Sequence, residues 1–161
     1  MKFILRFLLL FFSLTVILSA NNIIDIDKKV KQAQKEKKAI MFFFHIPRCP
    51  YCKSMIDENF HDKTILALIK ENFILVDIYT ANTKDVVLKK FKGSSKKFAQ
   101  HIGATAYPAT LFMDSNGKVF YKAIGYRNIH EYINEIKYIT TNSYKKMELD
   151  EFIIKMEIEN D

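Results

Sequence analysis

The stretch AIMFFFHIPRCPYC, residues 39–52, decides the fold because it joins a continuous apolar run to two closely spaced cysteines. Residues 39–46 are few enough and apolar enough for a strand that is buried on both faces. Pro50 suits the first turn of a helix, where its missing N–H costs little. The pattern therefore predicts a buried strand that ends just before the cysteines, followed by a helix that extends to about Asn59.

The chemistry expected of the two cysteines follows from this junction. Unpaired backbone N–H groups and the helix dipole favour an anion at a helix start, so we expect Cys49 to have a lowered pKa and to be the attacking sulfur. Arg48 and Lys53 add positive charge nearby. Cys52 lies about one turn further on, close enough to resolve a mixed disulfide formed on Cys49. His45 tunes the thiolate if its ring faces the motif, and is otherwise a structural residue of the strand.

The cysteine count favours redox chemistry over a structural role. The chain has 161 residues and two cysteines. A pair this close encloses a very small loop and stabilises a fold little, whereas small exported proteins that depend on disulfides usually carry several. The alternative is half of a zinc site, but the nearby His45 and His61 do not form a second ligand pair at zinc spacing. We therefore expect no metal and no cofactor other than a redox-active Cys49–Cys52 disulfide.

The rest of the chain alternates between helical and strand patterns. Residues 25–38, 61–71, 95–102 and 127–140 carry apolar side chains at helical spacing, and residues 73–80 form a second buried strand. Pro108 opens a strand over 109–114, and Ser115-Asn116-Gly117 predicts a hairpin that returns along 118–124. In the polar segment 81–97 we expect a short helix over 85–91 and a turn at 93–95.

These elements predict an α/β fold with one mixed sheet in the order β-α-β-α-β-β-α and an extra helix at each end. The first two strands are joined by a helical crossover and therefore pair in parallel, and the last two form an antiparallel hairpin. Helices cover both faces of the sheet. A C-terminal helical extension occupies residues 142–161, after a domain over residues 21–141.

Residues 1–20 are interpreted as a signal peptide. Lys2 and Arg6 precede an apolar run over 7–18, and Ser19 and Ala20 are small. Leu18 stands where a small residue is usual before a cleavage site, so an uncleaved membrane anchor is the alternative. The sequence thus predicts a protein of the periplasm or cell envelope.

The charge of the chain does not indicate a nucleic-acid partner. The formal net charge is +7, and it is +5 without Lys2 and Arg6. Much of the excess lies in residues 28–38, where Glu36 interrupts the lysines and no nucleic-acid-binding motif occurs. We interpret this segment as the solvated face of a helix, although a basic patch for an anionic partner is the other interpretation.

A resemblance to a known family rests on the motif and on a distant proline. A strand, then Cys49-Pro50-Tyr51-Cys52, a helix, a strand and Tyr107-Pro108 before the last hairpin resemble the thioredoxin superfamily over residues 25–140. Residues 47–60 are similar to envelope thioredoxin-like proteins of the sulfur-oxidation and cytochrome-maturation type, such as the SoxW-like group. The resemblance implies that Pro108 is cis and lies beside the active-site disulfide. It also implies that Tyr107, Pro108, Pro50 and Tyr51 face the substrate.

The chain departs from this family in its acidic residues. Cytoplasmic thioredoxins carry a buried aspartate in the strand before the motif, where it assists proton transfer, but residues 41–44 are Met-Phe-Phe-Phe. Asp77 in the neighbouring strand is the nearest candidate acid, and it is equally compatible with a carboxylate that faces solvent. A proton relay of the usual thioredoxin type is therefore not expected here.

The function predicted from the sequence is an exported thiol–disulfide oxidoreductase, with reduction slightly favoured over oxidation. Its partners are exported proteins with thiols or disulfides, and an upstream membrane or envelope thiol donor or acceptor that resets the pair. One alternative is a dedicated oxidant that donates disulfides. The other is a metal- or client-binding carrier module without redox turnover, for which the sequence offers few ligands.

Overall fold

The computed structural model describes residues 23–160 of the chain, so the predicted signal peptide over residues 1–20 lies outside the described residues. In this part of the chain, no helix is both long and apolar enough to cross a membrane. The strands are β1 (Ile23–Asp25), β2 (Ala39–His45), β3 (Phe73–Tyr79), β4 (Asp85–Leu88), β5 (Phe91–Ser94), β6 (Ala109–Met113) and β7 (Val119–Ile124). The helices are α1 (Ile26–Glu36), α2 (Pro50–Asp57), α3 (Lys63–Asn72), α4 (Ser95–Ile102), α5 (Ile129–Thr140) and α6 (Leu149–Asn160), with 3-10 turns at Asn59–His61 and Ser143–Lys145.

The sheet that carries the cysteine motif has four strands in the order β3-β2-β6-β7. Strands β2 and β3 run parallel, with His45 level with Tyr79, and α2 and α3 form the crossover between them. Strand β6 is antiparallel to β2, and β7 is antiparallel to β6. The predicted parallel pair and the predicted hairpin are therefore confirmed, as is the α/β fold class.

Strand β2 builds an apolar core on each face of this sheet. Residues 40–44 are each at most 2 % exposed, which explains why the apolar run is continuous. Successive side chains of a strand point to opposite faces. Phe42 and Phe44 join the core under α1 and α4, whereas Phe43 joins the core under α2, α3, α5 and α6. Helices thus cover both faces, and α6 contributes Phe152 to the core that contains Phe43.

The segment between β3 and α4 contradicts the sequence prediction of a helix over 85–91. It forms an antiparallel hairpin of β4 and β5. Strand β4 also pairs in parallel with β1, which the sequence pattern does not predict. Strands β1, β4 and β5 therefore form a second sheet in the order β1-β4-β5, whereas the sequence predicts one sheet. Val86 and Leu88 are buried at the two-residue period of a strand, and their partner β1 lies about 60 residues away along the chain.

The turn predicted at 93–95 is also wrong. Strand β5 leads directly into α4, because Ser94 is the N-cap residue of that helix and its hydroxyl accepts the backbone N–H of Lys97 over 3.4 Å. The other end of α4 agrees with the sequence. Gly103 ends the helix with a φ of 89°, a left-handed conformation that glycine adopts without steric cost.

Helix α5 is fastened to the sheet by buried polar contacts. The Tyr132 hydroxyl lies 2.9 Å from the Thr110 hydroxyl of β6, and both residues are at most 2 % exposed. One turn further along, Glu135 accepts a hydrogen bond from the Tyr121 hydroxyl of β7 over 3.1 Å and lies 3.2 Å from Nε of Arg127. These contacts fix the last hairpin, which begins at Pro108, against α5.

Candidate active site

The two cysteines lie where β2 leads into α2. Cys49 is the N-cap residue of α2 and Pro50 occupies its first turn. Cys49 and Cys52 form a disulfide, with their Cα atoms 5.2 Å apart. The backbone N–H of Cys52 donates to Sγ of Cys49 over 3.1 Å. The sulfur of Cys49 therefore lies where the N–H groups and the dipole of the helix stabilise negative charge.

The two sulfurs differ in their access to solvent. Cys49 is half-buried, whereas Cys52 is 2 % exposed. Pro50 and Tyr51, which separate them, are both exposed, and Tyr51 is 65 % exposed. A partner molecule can therefore reach Cys49 from outside, whereas Cys52 can reach Cys49 only from within the fold.

An open cavity of about 440 Å³ lies beside the disulfide. Both cysteines line it, together with the sequence-predicted tuning residues His45, Arg48 and Lys53. Lys53 also forms an ion pair with Asp57, one turn along α2, which offsets part of its positive charge. The structure thus brings all three candidate tuning residues to the cavity that holds the sulfurs.

The peptide bond between Tyr107 and Pro108 is cis, which is the geometry that the family resemblance implies. Phe44 of β2 is level with Ala109 of β6, so Pro108 lies across from the end of β2, where the motif begins. Its carbonyl accepts the backbone N–H of Gly125 over 2.8 Å. Tyr107 packs against the core that contains Phe42 and Phe44, and burial raises the pKa of its hydroxyl above the ordinary value.

The motif has an aromatic neighbour that is distant along the chain. The ring of Tyr126, in the loop between β7 and α5, lies 5.8 Å from the ring of Tyr51. Tyr126 donates to Glu58 over 3.4 Å, and the buried Asn59 donates to the carbonyl of Arg127 over 3.0 Å. These bonds hold the loop against the end of α2. Because Tyr126 is 75 residues away from Tyr51 along the chain, no local pattern places the two rings together.

His45 and Asp77 form a pair at the same end of the sheet. Nε2 of His45 lies 2.9 Å from Oδ1 of Asp77, although the contact does not have the geometry of a hydrogen bond. The His45 ring is stacked on the rings of Phe43 and Tyr79, with centroids 5.5 and 4.9 Å away. The side chain of Asp77 is 65 % exposed, whereas that of His45 is 15 % exposed. Asp77 therefore faces solvent, as the sequence allowed, and contacts His45 as well.

The part of the chain that the structure describes contains no group of three or more His, Cys, Asp or Glu side chains that could hold a metal ion. The chemistry that this arrangement supports is thiol–disulfide exchange at Cys49 and Cys52, since both sulfurs are within bonding distance and differ in access.

No curated protein matches the sequence significantly. Among solved structures, a thioredoxin-fold protein from Helicobacter pylori has a TM-score of 0.62 and 22 % identity, covering 86 % of this chain and 85 % of that one. A disulphide isomerase from Xylella fastidiosa Temecula1 has a TM-score of 0.57 and 19 % identity, covering 71 % of this chain and 88 % of that one.

The oxidised C-terminal domain of DsbD from Neisseria meningitidis has a TM-score of 0.52 and 17 % identity, covering 68 % of this chain and 88 % of that one. At these identities the likeness concerns the fold alone. The family of thioredoxin-like domains matches residues 26–140, which is most of the chain and includes both cysteines and Pro108. The chain therefore belongs to the thioredoxin-like domain family.

Proposed function

We propose that this protein is an exported thiol–disulfide oxidoreductase in which Cys49 is the nucleophile and Cys52 the resolving thiol. The observation that carries the proposal is the asymmetry of the pair. Cys49 caps a helix and is partly accessible, whereas Cys52 is buried one turn behind it. A lowered pKa is expected for a thiol in the position of Cys49, because the helix start stabilises the thiolate.

The reaction has two exchange steps. In the first, the Cys49 thiolate attacks a substrate disulfide, so that one substrate sulfur leaves as a thiolate and a mixed disulfide forms. In the second, Cys52 attacks Sγ of Cys49, the second substrate sulfur leaves, and the Cys49–Cys52 disulfide forms. The substrate is reduced by two electrons and the protein is oxidised by two. The reverse sequence oxidises a substrate dithiol, and we favour the reductive direction slightly.

The surface around Cys49 supports a polypeptide substrate. The exposed Pro50 and Tyr51 flank the accessible sulfur, and Tyr126 extends the aromatic surface beside Tyr51. We assign Tyr107 and Pro108 to substrate binding as well, because the pairing of β6 with β2 places them at the motif end of the sheet. Such a surface suits exported proteins with thiols or disulfides.

Location in the periplasm or cell envelope is part of the proposal. It is supported by the leader-like composition of residues 1–20, with its basic start and apolar run. An envelope oxidoreductase also needs a membrane or envelope thiol donor or acceptor to reset Cys49 and Cys52. Membership of the SoxW-like group, suggested by residues 47–60, is a further prediction of the same kind.

Reduction of insulin by a dithiol tests the proposed activity. We expect the protein without residues 1–20 to accelerate precipitation of the insulin B chain, and Cys49→Ser to abolish this acceleration. The matched variant Ser54→Ala, which removes a hydroxyl from the same helix, is expected to retain it. Equal activity of the wild type and Cys49→Ser would refute the proposal.

A further inference from the structure

The resolving step poses a proton problem at Cys52. Only the thiolate form of a cysteine is an effective nucleophile. Cys52 is 2 % exposed, and burial disfavours the charged form of a thiol. In the mixed disulfide on Cys49, Cys52 must therefore lose its proton to a nearby group before it can attack.

The cavity beside the disulfide contains one suitable acceptor. Besides the cysteines, its described lining residues that titrate or carry charge are His45, Arg48 and Lys53. Arginine and lysine are protonated at neutral pH, whereas histidine ordinarily titrates there. The cavity has a volume of about 440 Å³, and a liquid water molecule occupies about 30 Å³. The cavity is therefore large enough to admit a water molecule beside Cys52 and His45.

The surroundings of His45 hold its ring in one orientation. Phe43 and Tyr79 stack on the ring, and Nε2 lies 2.9 Å from Oδ1 of Asp77. A nucleophile is commonly activated by an adjacent base. The Asp77 carboxylate stabilises the imidazolium that forms when the ring accepts a proton, and its 65 % exposed side chain leads to solvent.

We propose that His45, which packs against Phe43 and Tyr79 and contacts Asp77, accepts the proton of Cys52 during resolution of the mixed disulfide. The inference rests on the proposed function and assigns the base for its second step. The Cys52 thiol transfers its proton to the imidazole, directly or through one water molecule, and its thiolate attacks Sγ of Cys49. The bond between Cys49 and the substrate sulfur breaks, the substrate leaves as a thiolate, and the imidazolium releases its proton to solvent. No further oxidant or reductant is needed.

Three charged groups lie near His45. The carboxylate of Asp77 from β3 contacts Nε2, and Arg48 and Lys53 line the same cavity as the ring. Tyr79 stacks on the ring, and the side chains Ile56, Phe60 and Leu66 from the crossover are apolar. Because the neutral imidazole is the base, the rate of resolution should be lower in acidic solution than in neutral solution.

The reaction of the reduced protein with a nitrobenzoate disulfide separates the two steps, because each releases one coloured thiolate. The first phase in a stopped-flow record reports attack by Cys49, and the second reports resolution by Cys52. We expect His45→Gln to slow the second phase about 100-fold more than the first, which is the lower range for a lost general base. The difference in the rate of the second phase between acidic and neutral solution should also disappear.

Matched variants distinguish this role from a structural one. Asp77→Asn should slow the second phase less than His45→Gln does, and His130→Gln, on the exposed face of α5, should leave both phases unchanged. A second phase in His45→Gln with the rate and pH profile of the wild type would overturn the inference. If His45→Gln does not fold, an unaltered second phase in Asp77→Asn overturns it. Absence of the first phase in the wild type would refute the proposed function instead.

Discussion

The hydrogen bond between Tyr132 and Thr110 provides a quantitative test of how α5 holds the strand that follows Pro108. Their hydroxyl oxygens are 2.9 Å apart, Tyr132 is 0 % exposed and Thr110 is 2 % exposed. Tyr132→Phe leaves the Thr110 hydroxyl buried without this partner, and Thr110→Val leaves the Tyr132 hydroxyl in the same condition. Each single change removes one hydrogen bond and leaves one buried hydroxyl without its partner.

The expected loss of stability follows from the cost of leaving a buried polar group without a partner. A buried donor or acceptor left without a partner costs about 1–3 kcal/mol, so each single variant should lower the free energy of unfolding by that amount. The double variant Tyr132→Phe/Thr110→Val replaces both hydroxyls by apolar groups, so no unpaired buried hydroxyl remains. Its cost should therefore be smaller than the sum of the two single costs by about 1 kcal/mol or more.

Urea unfolding of the oxidised protein, followed by far-UV circular dichroism at neutral pH, measures the four free energies of this cycle. Tyr51→Phe is the control. Tyr51 is 65 % exposed, so loss of its hydroxyl should change the free energy of unfolding by less than about 0.5 kcal/mol. Additivity of the two single variants to within about 0.3–0.5 kcal/mol would show that the two hydroxyls are not coupled, and the reasoning would be refuted.

Three further predictions concern the core, the buried acid and the reactive thiol. Phe42→Ala, at a side chain that is 0 % exposed, should lower the free energy of unfolding by about 3–5 kcal/mol in urea, and an unchanged midpoint would contradict the placement of Phe42 in the core. Burial raises the pKa of Glu135 despite the opposing Arg127, so the carboxyl stabilises the fold at low pH and this contribution is lost as the pH rises through the raised pKa. The free energy of unfolding, measured in urea between about pH 4 and pH 8, should therefore fall less with rising pH in Glu135→Gln than in the wild type. Parallel pH profiles of the two proteins would contradict this explanation. In the reduced protein, alkylation of Cys49 should have its midpoint below the pH of about 8.5 that is typical of a free thiol, whereas a midpoint at or above it would argue against stabilisation by the helix start.

The elements next to the motif could be predicted from the sequence because their signals are local. The buried run before Cys49, the helix start at Pro50 and the hairpin at Ser115–Gly117 each depend on a few consecutive residues. The hairpin of β4 and β5 could not be predicted in this way. Its strands have four residues each, its composition is rich in lysine, and β4 pairs with β1 only in the tertiary structure.

The candidate site likewise combines a feature that the local sequence predicts with contacts that form only in the tertiary structure. The pair Cys49 and Cys52 is evident from its spacing and from the absence of any other cysteine in the chain. The contact between His45 and Asp77 depends on the parallel register of β2 with β3, in which Phe43 is level with Asp77. The approach of Tyr126 to Tyr51 depends on the loop that Asn59 fastens to the end of α2.

Trapping of mixed disulfides tests the central claim that Cys49 attacks and Cys52 resolves. The measurement compares the variants Cys52→Ala and Cys49→Ala, each expressed with its full N-terminal segment and isolated after acid quenching. Mass spectrometry then identifies the proteins that are disulfide-linked to the remaining cysteine. The account predicts abundant adducts on Cys49 in the first variant and few on the buried Cys52 in the second. Equal adducts in both variants, or more adducts on Cys52, would contradict it.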